Sequence, residues 1–357
     1  MNERYNPSKF GKRDLNSIDH WKRLDLEKYS ITKPTIICLG GNGTISERKA
    51  NNFCKLAERL VGLKIESDNV YSSYNNVEVL GFSYGTNAED ETAGQFDKDD
   101  INSIVSNLLL PLCLDTEGQR LDAEKASQNF SLVTFFSHCH GAREVANLTN
   151  VLNKKMLIAG YKQDEIDQIF GHTFQLSYCP NTDEAPIPTV RIDSYTDSHN
   201  LDLPKIFKDS YGYTVDGIDI QYDAPGFFRK QKRWFLTHKN SDIISIVSSR
   251  LLNFKEPTID PHTTDLQDPK NRVQVVDEHN IYDVFKRDPE TWADETGAKN
   301  ADTVSQMAAH CLALNVANSM ANYESNTLVP KLAFSDLKDY LEDIKLTYSQ
   351  DEIKRQK

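Results

Sequence analysis

Apolar residues in this chain fall into short solid runs, and between the runs they recur every three or four positions. Residues 35–39 (Thr-Ile-Ile-Cys-Leu) and 131–136 (with Leu132, Val133, Phe135 and Phe136) read as strands buried on both faces. Further strands are expected at 77–84, 173–178, 189–195 and 233–237. Helical periodicity predicts a helix capped by Ser46, with Ala50, Phe53, Cys54, Leu56, Ala57, Leu60 and Val61 on its apolar face. Other helices are expected at 18–29, 99–114, 121–128, 142–159 and 242–252. Strands alternating with helices of this length imply an α/β fold with a mostly parallel sheet flanked by helices. Ligands in such sheets sit at the carboxyl ends of the strands.

The rhythm marks out the organisation. Residues 1–33 form a polar N-terminal leader, 34–255 the α/β core, and 256–357 a polar linker followed by a C-terminal helical extension. That extension contains two helices, expected at 301–321 and 335–347, as a cap over the core or as an interaction region. A polar insertion at 196–231 interrupts the core. There is no internal repeat.

Charge and cysteine usage narrow the function classes. A net charge of −12 argues against nucleic-acid binding, which needs basic surface. The basic cluster Arg229, Lys230, Lys232 and Arg233 reads as a solvated lead-in to a strand or as a contact for an acidic substrate or partner. The six cysteines are widely and irregularly spaced with no CxxC pair, so free thiols in a reducing compartment are expected, with no metal site and no cofactor. The N-terminus has no apolar signal region and no window reaches 18 consecutive apolar residues, so a cytoplasmic protein without a membrane span is expected. A lysine- and asparagine-rich composition with long polar insertions also suits a bacterial effector, delivered without a cleaved signal into a host cell.

The segment with chemical character is Ser137-His138-Cys139-His140-Gly141, between the apolar strand 131–136 and the helix 142–159. A nucleophile on a tight strand-to-helix turn needs small flanking residues, because the turn crowds the helix start against the strand. Ser137 and Gly141 supply them, and Cys139 takes the nucleophile position at a helix N-terminus, where free N–H groups favour a thiolate. Alternate residues on a turn point apart and no carboxylate is adjacent, so His138 and His140 are not expected to bind metal. A second loop, Gly40-Gly41-Asn42-Gly43, follows the strand 35–39; it lacks the Lys-Ser/Thr pair of a phosphate-binding loop.

On these residues, residues 34–253 resemble the α/β-hydrolase superfamily, with cysteine in place of the usual serine. The Gly40–Gly43 loop resembles that family's oxyanion loop without its histidine, and residues 80–86 resemble the loop after the next strand. The resemblance implies an acyl-cysteine mechanism on an ester, thioester or amide, from a small-molecule or acylated substrate, by hydrolysis or acyl transfer. It implies Cys139 as nucleophile, His238 as base and Asp197 as the carboxylate orienting that base. Asp193 and Asp183 compete for the acid, and His199, His262 and His279 for the base. The backbone N–H groups of Asn42 and His140 would form the oxyanion hole, with Gly41 and Tyr84 on the substrate side. The competing expectation is a catalytically inactive scaffold of the same fold, binding a protein partner through the C-terminal region and the 196–231 insertion.

Overall fold

In a computed structural model of the chain, described residues are 9–14, 20–68, 77–86, 94–178, 185–194, 213–224, 227–238, 243–252 and 274–275, with helical positions 312, 316, 319–321 and 323–325. The chain divides into two compact units: residues 1–189 with 309–333, and residues 190–308 with 334–357.

The first unit is built on a mixed six-stranded sheet. In chain order its strands are β1 (Lys9–Arg13), β2 (Trp21–Arg23), β3 (Thr35–Leu39), β4 (Glu78–Ser83), β7 (Val133–His138) and β8 (Phe174–Tyr178); β5 (Gly85–Thr86) and β6 (Gly94–Gln95) form a separate small ribbon. The spatial order is β8-β7-β3-β4-β1-β2. The first four of these run parallel, with Leu39 opposite Ser137 and Ser137 opposite Ser177, while β1 joins β4 and β2 antiparallel. The sheet is therefore α/β in class and mixed in direction.

Helices cover both faces of the parallel part. Side chains alternate across a strand, so Cys38 and Phe136 face one side and Ile37, Leu39 and Phe135 the other. The helix α1 (Glu47–Asp68) covers the first face, with Phe53 stacked on Phe136 at 4.8 Å. The Lys49 N–H donates to Ser46 Oγ at 3.4 Å, where the cap was expected. The opposite face holds the main core. There α4 (His140–Ile158) presents Val145, Leu148 and Leu152 to Ile37, Leu39, Val133 and Phe135, all essentially without exposure. Each such aliphatic side chain contributes about 1.5–3 kcal/mol of burial. The same core takes in α2 (Lys98–Ile104), α3 (Ala123–Phe130) and α5 (Gln163–Phe170).

Several expectations need correction. The helix expected at 99–114 stays α-helical only to Ile104; Val105–Leu109 widens to a π-helix and Leu110–Cys113 tightens to a 3₁₀ turn. Pro111 explains the change, since it cannot donate to the α-helical ladder. The helix expected at 18–29 is instead β2 and a turn, so the polar leader contributes two strands to the sheet. The short helix α5 was not expected; its signal was Ile166, Ile169 and Phe170 behind the acidic first turn of Asp164 and Glu165.

The second unit contains antiparallel strands β10 (Tyr213–Ala224), β11 (Phe227–His238), β12 (Ile243–Leu252) and β13 (Gln274–Val275), preceded by β9 (Thr189–Ser194) at the boundary between units. The helix expected at 242–252 is thus a strand. Ile243, Ile244, Ile246 and Val247 favour extended backbone, and Trp234 stands opposite Val247 in the ladder. The polar insertion at 196–231 contains β10.

Residues 309–333 group with the first unit. Leu312, Val316 and Met320 are buried at four-residue spacing, and the Ser319 hydroxyl donates to the Ser131 carbonyl at 2.7 Å. The second C-terminal helix, expected at 335–347, lies outside the described residues. Among the described residues, no helix is long and apolar enough to cross a membrane.

Candidate functional site

The carboxyl ends of β3, β4, β7 and β8 lie along one edge of the parallel sheet, and Gly41, Asn42, Tyr84, Cys139 and His140 follow those ends. Cys139 joins β7 directly to α4 with φ 51° and ψ −119°. A non-glycine residue with such a φ is strained, at a cost of order 1–3 kcal/mol. The surroundings hold it there. Its N–H donates to the Tyr178 carbonyl at 3.1 Å, continuing the sheet ladder, and its carbonyl accepts from Ala142 N–H at 3.2 Å. Cys139 is partly exposed, unlike Cys38, Cys54 and Cys113, which are buried. Burial pushes the Cys113 thiol up to about 12.

Gly141 has no room for a side chain. A Cβ there would lie 1.8 Å from the Leu39 carbonyl oxygen and 2.7 Å from that of Gly40. The first turn of α4 is thus seated directly on the end of β3. Ser137 fills the other flanking position, and its hydroxyl accepts from Gln175 Nε2 at 2.8 Å and pairs with the Ser177 hydroxyl at 3.1 Å. Its place in this buried network is a reason for serine where a glycine would remove the acceptor of Gln175 Nε2.

The loop after β3 stands beside Cys139. A Cβ on Gly41 would lie 3.3 Å from Cys139 Cβ and 3.4 Å from His138 Nδ1. The loop closes with the Thr44 N–H donating to Gly41 at 2.9 Å, and the Asn42 carbonyl accepts from Gly94 N–H at 2.8 Å. Asn42 is exposed. His140 opens α4, where the first backbone N–H groups have no partner within the helix.

Behind this turn lies a buried polar cluster that sequence reasoning missed. His140 Nε2 is 2.7 Å from Glu144 Oε1, with both side chains nearly inaccessible. The other carboxylate oxygen accepts from Asn147 Nδ2 at 3.3 Å. The signal was the four-residue spacing of His140 and Glu144, which places them on one helix face. Tyr84, expected on the substrate side, is 1% exposed, and its hydroxyl donates to the Gly40 carbonyl at 2.8 Å. It is a buried strut. Burial raises its phenol well above the ordinary value, and the charges of Glu144 and Cys139 add to the rise.

The structure therefore brings Cys139, His140, Gly41, Asn42 and Tyr84 together. Asp197 lies outside the described residues, as do His199, His262, His279 and Asp183. His238 is the last residue of β11 in the second unit, opposite Tyr213, and Asp193 lies in β9. A cavity of about 320 Å³ lies elsewhere in the first unit, with Lys9, Phe10, Arg23, Leu24, Phe82 and Ile104 in its wall. Two of its polar side chains are engaged, Arg23 by Glu47 and Asp100 in the α2 capping box with Asp97.

No protein-family model matches the chain, and no curated protein matches its sequence.

Proposed function

We propose that this protein is a thiol-dependent hydrolase or acyltransferase on an α/β-hydrolase-like scaffold, acting on an ester, thioester or amide through an acyl-cysteine intermediate. The observation that carries the reading is the backbone of Cys139: a strained residue at φ 51°, ψ −119°, between a buried strand and the N-terminus of a 19-residue helix. Strain of this kind turns a side chain outward from a sheet edge and persists where the surroundings impose it. A structural cysteine needs no such turn.

In the proposed reaction Cys139 Sγ attacks the acyl carbon. Its proton passes to a histidine base, which a carboxylate orients. The developing oxyanion accepts from the backbone N–H groups of His140 and Asn42. The tetrahedral intermediate collapses: the C=O bond re-forms, the bond to the leaving group breaks, the leaving group departs with the proton, and the acyl group remains on sulfur. Water or an acceptor nucleophile then releases it. The dipole of α4, whose N-terminus begins at His140, favours negative charge at this point.

The test is a stopped-flow burst with p-nitrophenyl acetate and a short acyl thioester. The reading predicts one equivalent of p-nitrophenolate released rapidly, an acetyl group on Cys139 in the peptide map, and neither in Cys139→Ala. A chain that turns over neither compound and carries no adduct would instead support a catalytically inactive scaffold that binds a partner.

A further inference from the structure

Tyr84 touches three parts of the candidate site at once. Its backbone N–H donates to the Thr44 carbonyl at 2.8 Å, and its hydroxyl donates to the Gly40 carbonyl at 2.8 Å. The loop that carries Gly41 and Asn42 is therefore held at both ends by one residue. The ring edge meets the His140 imidazole at 89° and 6.4 Å, and His140 is fixed in turn by Glu144 on the next turn of α4. Phe96 makes a second T-shaped contact with the Tyr84 ring, centroids 4.9 Å apart. Nothing in this arrangement places Tyr84 against a substrate, since the side chain is buried.

We propose that Tyr84 is a positioning residue that sets the distance between the Gly40–Thr44 loop and the Cys139 turn, and so aims the Asn42 N–H at the oxyanion. The inference rests on the reading of Cys139 as an acyl-accepting nucleophile. The hydroxyl bond to Gly40 matters because Gly40 is where β3 ends and the loop begins. Without it the Gly40 carbonyl loses a buried partner, and the loop can rotate about its glycines. Sulfur itself is untouched by the change.

Two electrophiles separate these effects. With p-nitrophenyl acetate, an S–C bond forms at the carbonyl, the oxyanion develops, and the C–O bond to p-nitrophenolate then breaks. With iodoacetamide, sulfur displaces iodide at a saturated carbon, and no oxyanion forms. An oxyanion donor therefore assists the first reaction and not the second.

The experiment measures both rates at Cys139 by peptide mapping, in the full-length chain and in Tyr84→Phe and Phe96→Leu. Phe96→Leu loosens the same aromatic cluster but leaves the Tyr84 hydroxyl bond in place. The expected result is about a tenfold fall in the acetylation-to-alkylation ratio for Tyr84→Phe, consistent with a misaimed donor, and less than a twofold change for Phe96→Leu. An unchanged ratio in Tyr84→Phe, an equal fall in Phe96→Leu, or a Tyr84→Phe chain that no longer folds would each overturn the proposal. If the unaltered chain alkylates but does not acetylate at Cys139, the nucleophile reading itself fails, and this inference falls with it.

Discussion

Replacing Gly141 by alanine places a methyl group where the backbone of β3 already stands. The new Cβ would lie 1.8 Å from the Leu39 carbonyl oxygen, 2.5 Å from the Leu39 carbonyl carbon and 2.7 Å from the Gly40 oxygen. Favourable heavy-atom contacts lie near 3.5 Å, so α4 and β3 must separate by roughly 1.5 Å. The neighbours that would have to yield are main-chain atoms at the end of a strand hydrogen-bonded on both sides, and Leu39 is fully buried. Overpacking ordinarily costs about 1–3 kcal/mol, and immovable backbone puts this case at about 3 kcal/mol or above. For a unit of this size that corresponds to a fall of about 6–12 °C in Tm. Urea and thermal unfolding followed by circular dichroism measure it. Gly118→Ala is the control: its φ of +78° is unfavourable for alanine, but nothing lies within 4 Å, so only the left-handed penalty of about 1–2 kcal/mol applies. If Gly141→Ala is no more destabilising than Gly118→Ala, the close seating of α4 on β3 is wrong.

Three further outcomes follow from the same contacts. Cys139→Gly should stabilise the fold by about 1 kcal/mol, since relief of φ strain exceeds the entropy cost of glycine; a loss of Tm would show that the turn is unstrained. Ser137→Ala should cost about 1–2 kcal/mol in urea unfolding by removing the acceptor of the buried Gln175 Nε2, and an unchanged midpoint would contradict that network. Burial pushes the Glu78 carboxyl up, but hydrogen bonds from Lys12 and Tyr29 and the charges of Lys12 and Lys33 hold it below its ordinary 4.5. Its folded value being depressed, its stabilising contribution is present above pH 4.5 and lost as pH falls below that. Glu78→Gln should therefore flatten the acid limb of a Tm-against-pH profile, and a parallel profile would refute the assignment.

How far the sequence was legible depended on the range of the forces involved. The strand 35–39 and the helix beginning near Ser46 were readable because burial on both faces and helical periodicity are local patterns. The turn at Cys139 was readable because a solid apolar run met small residues before a second periodic stretch. The helix expected at 242–252 failed because its apolar residues fit a helical face and a strand ladder equally well; pairing with β11 decided between them. The leader strands were missed for a similar reason. Lys9–Arg13 alternates poorly by itself, and gains its place by pairing with β4 and setting Phe10 on Phe82 at 5.0 Å. Tyr84 illustrates the same limit within the site. The resemblance set it on the substrate side, while its burial and its hydrogen bond across 44 residues to Gly40 rest on contacts that no local pattern shows.

The central claim, that Cys139 is an activated nucleophile, is tested most directly by its alkylation rate in the folded chain against that in the same chain unfolded in urea. The measurement uses trace iodoacetamide near pH 6, with peptide-resolved mass spectrometry following each cysteine. The account predicts that Cys139 reacts faster folded than unfolded, although it is partly covered, while Cys54 and Cys113 react only on unfolding. If folding slows Cys139 as it slows the buried thiols, the turn does not activate the sulfur and the acyl-cysteine chemistry is contradicted.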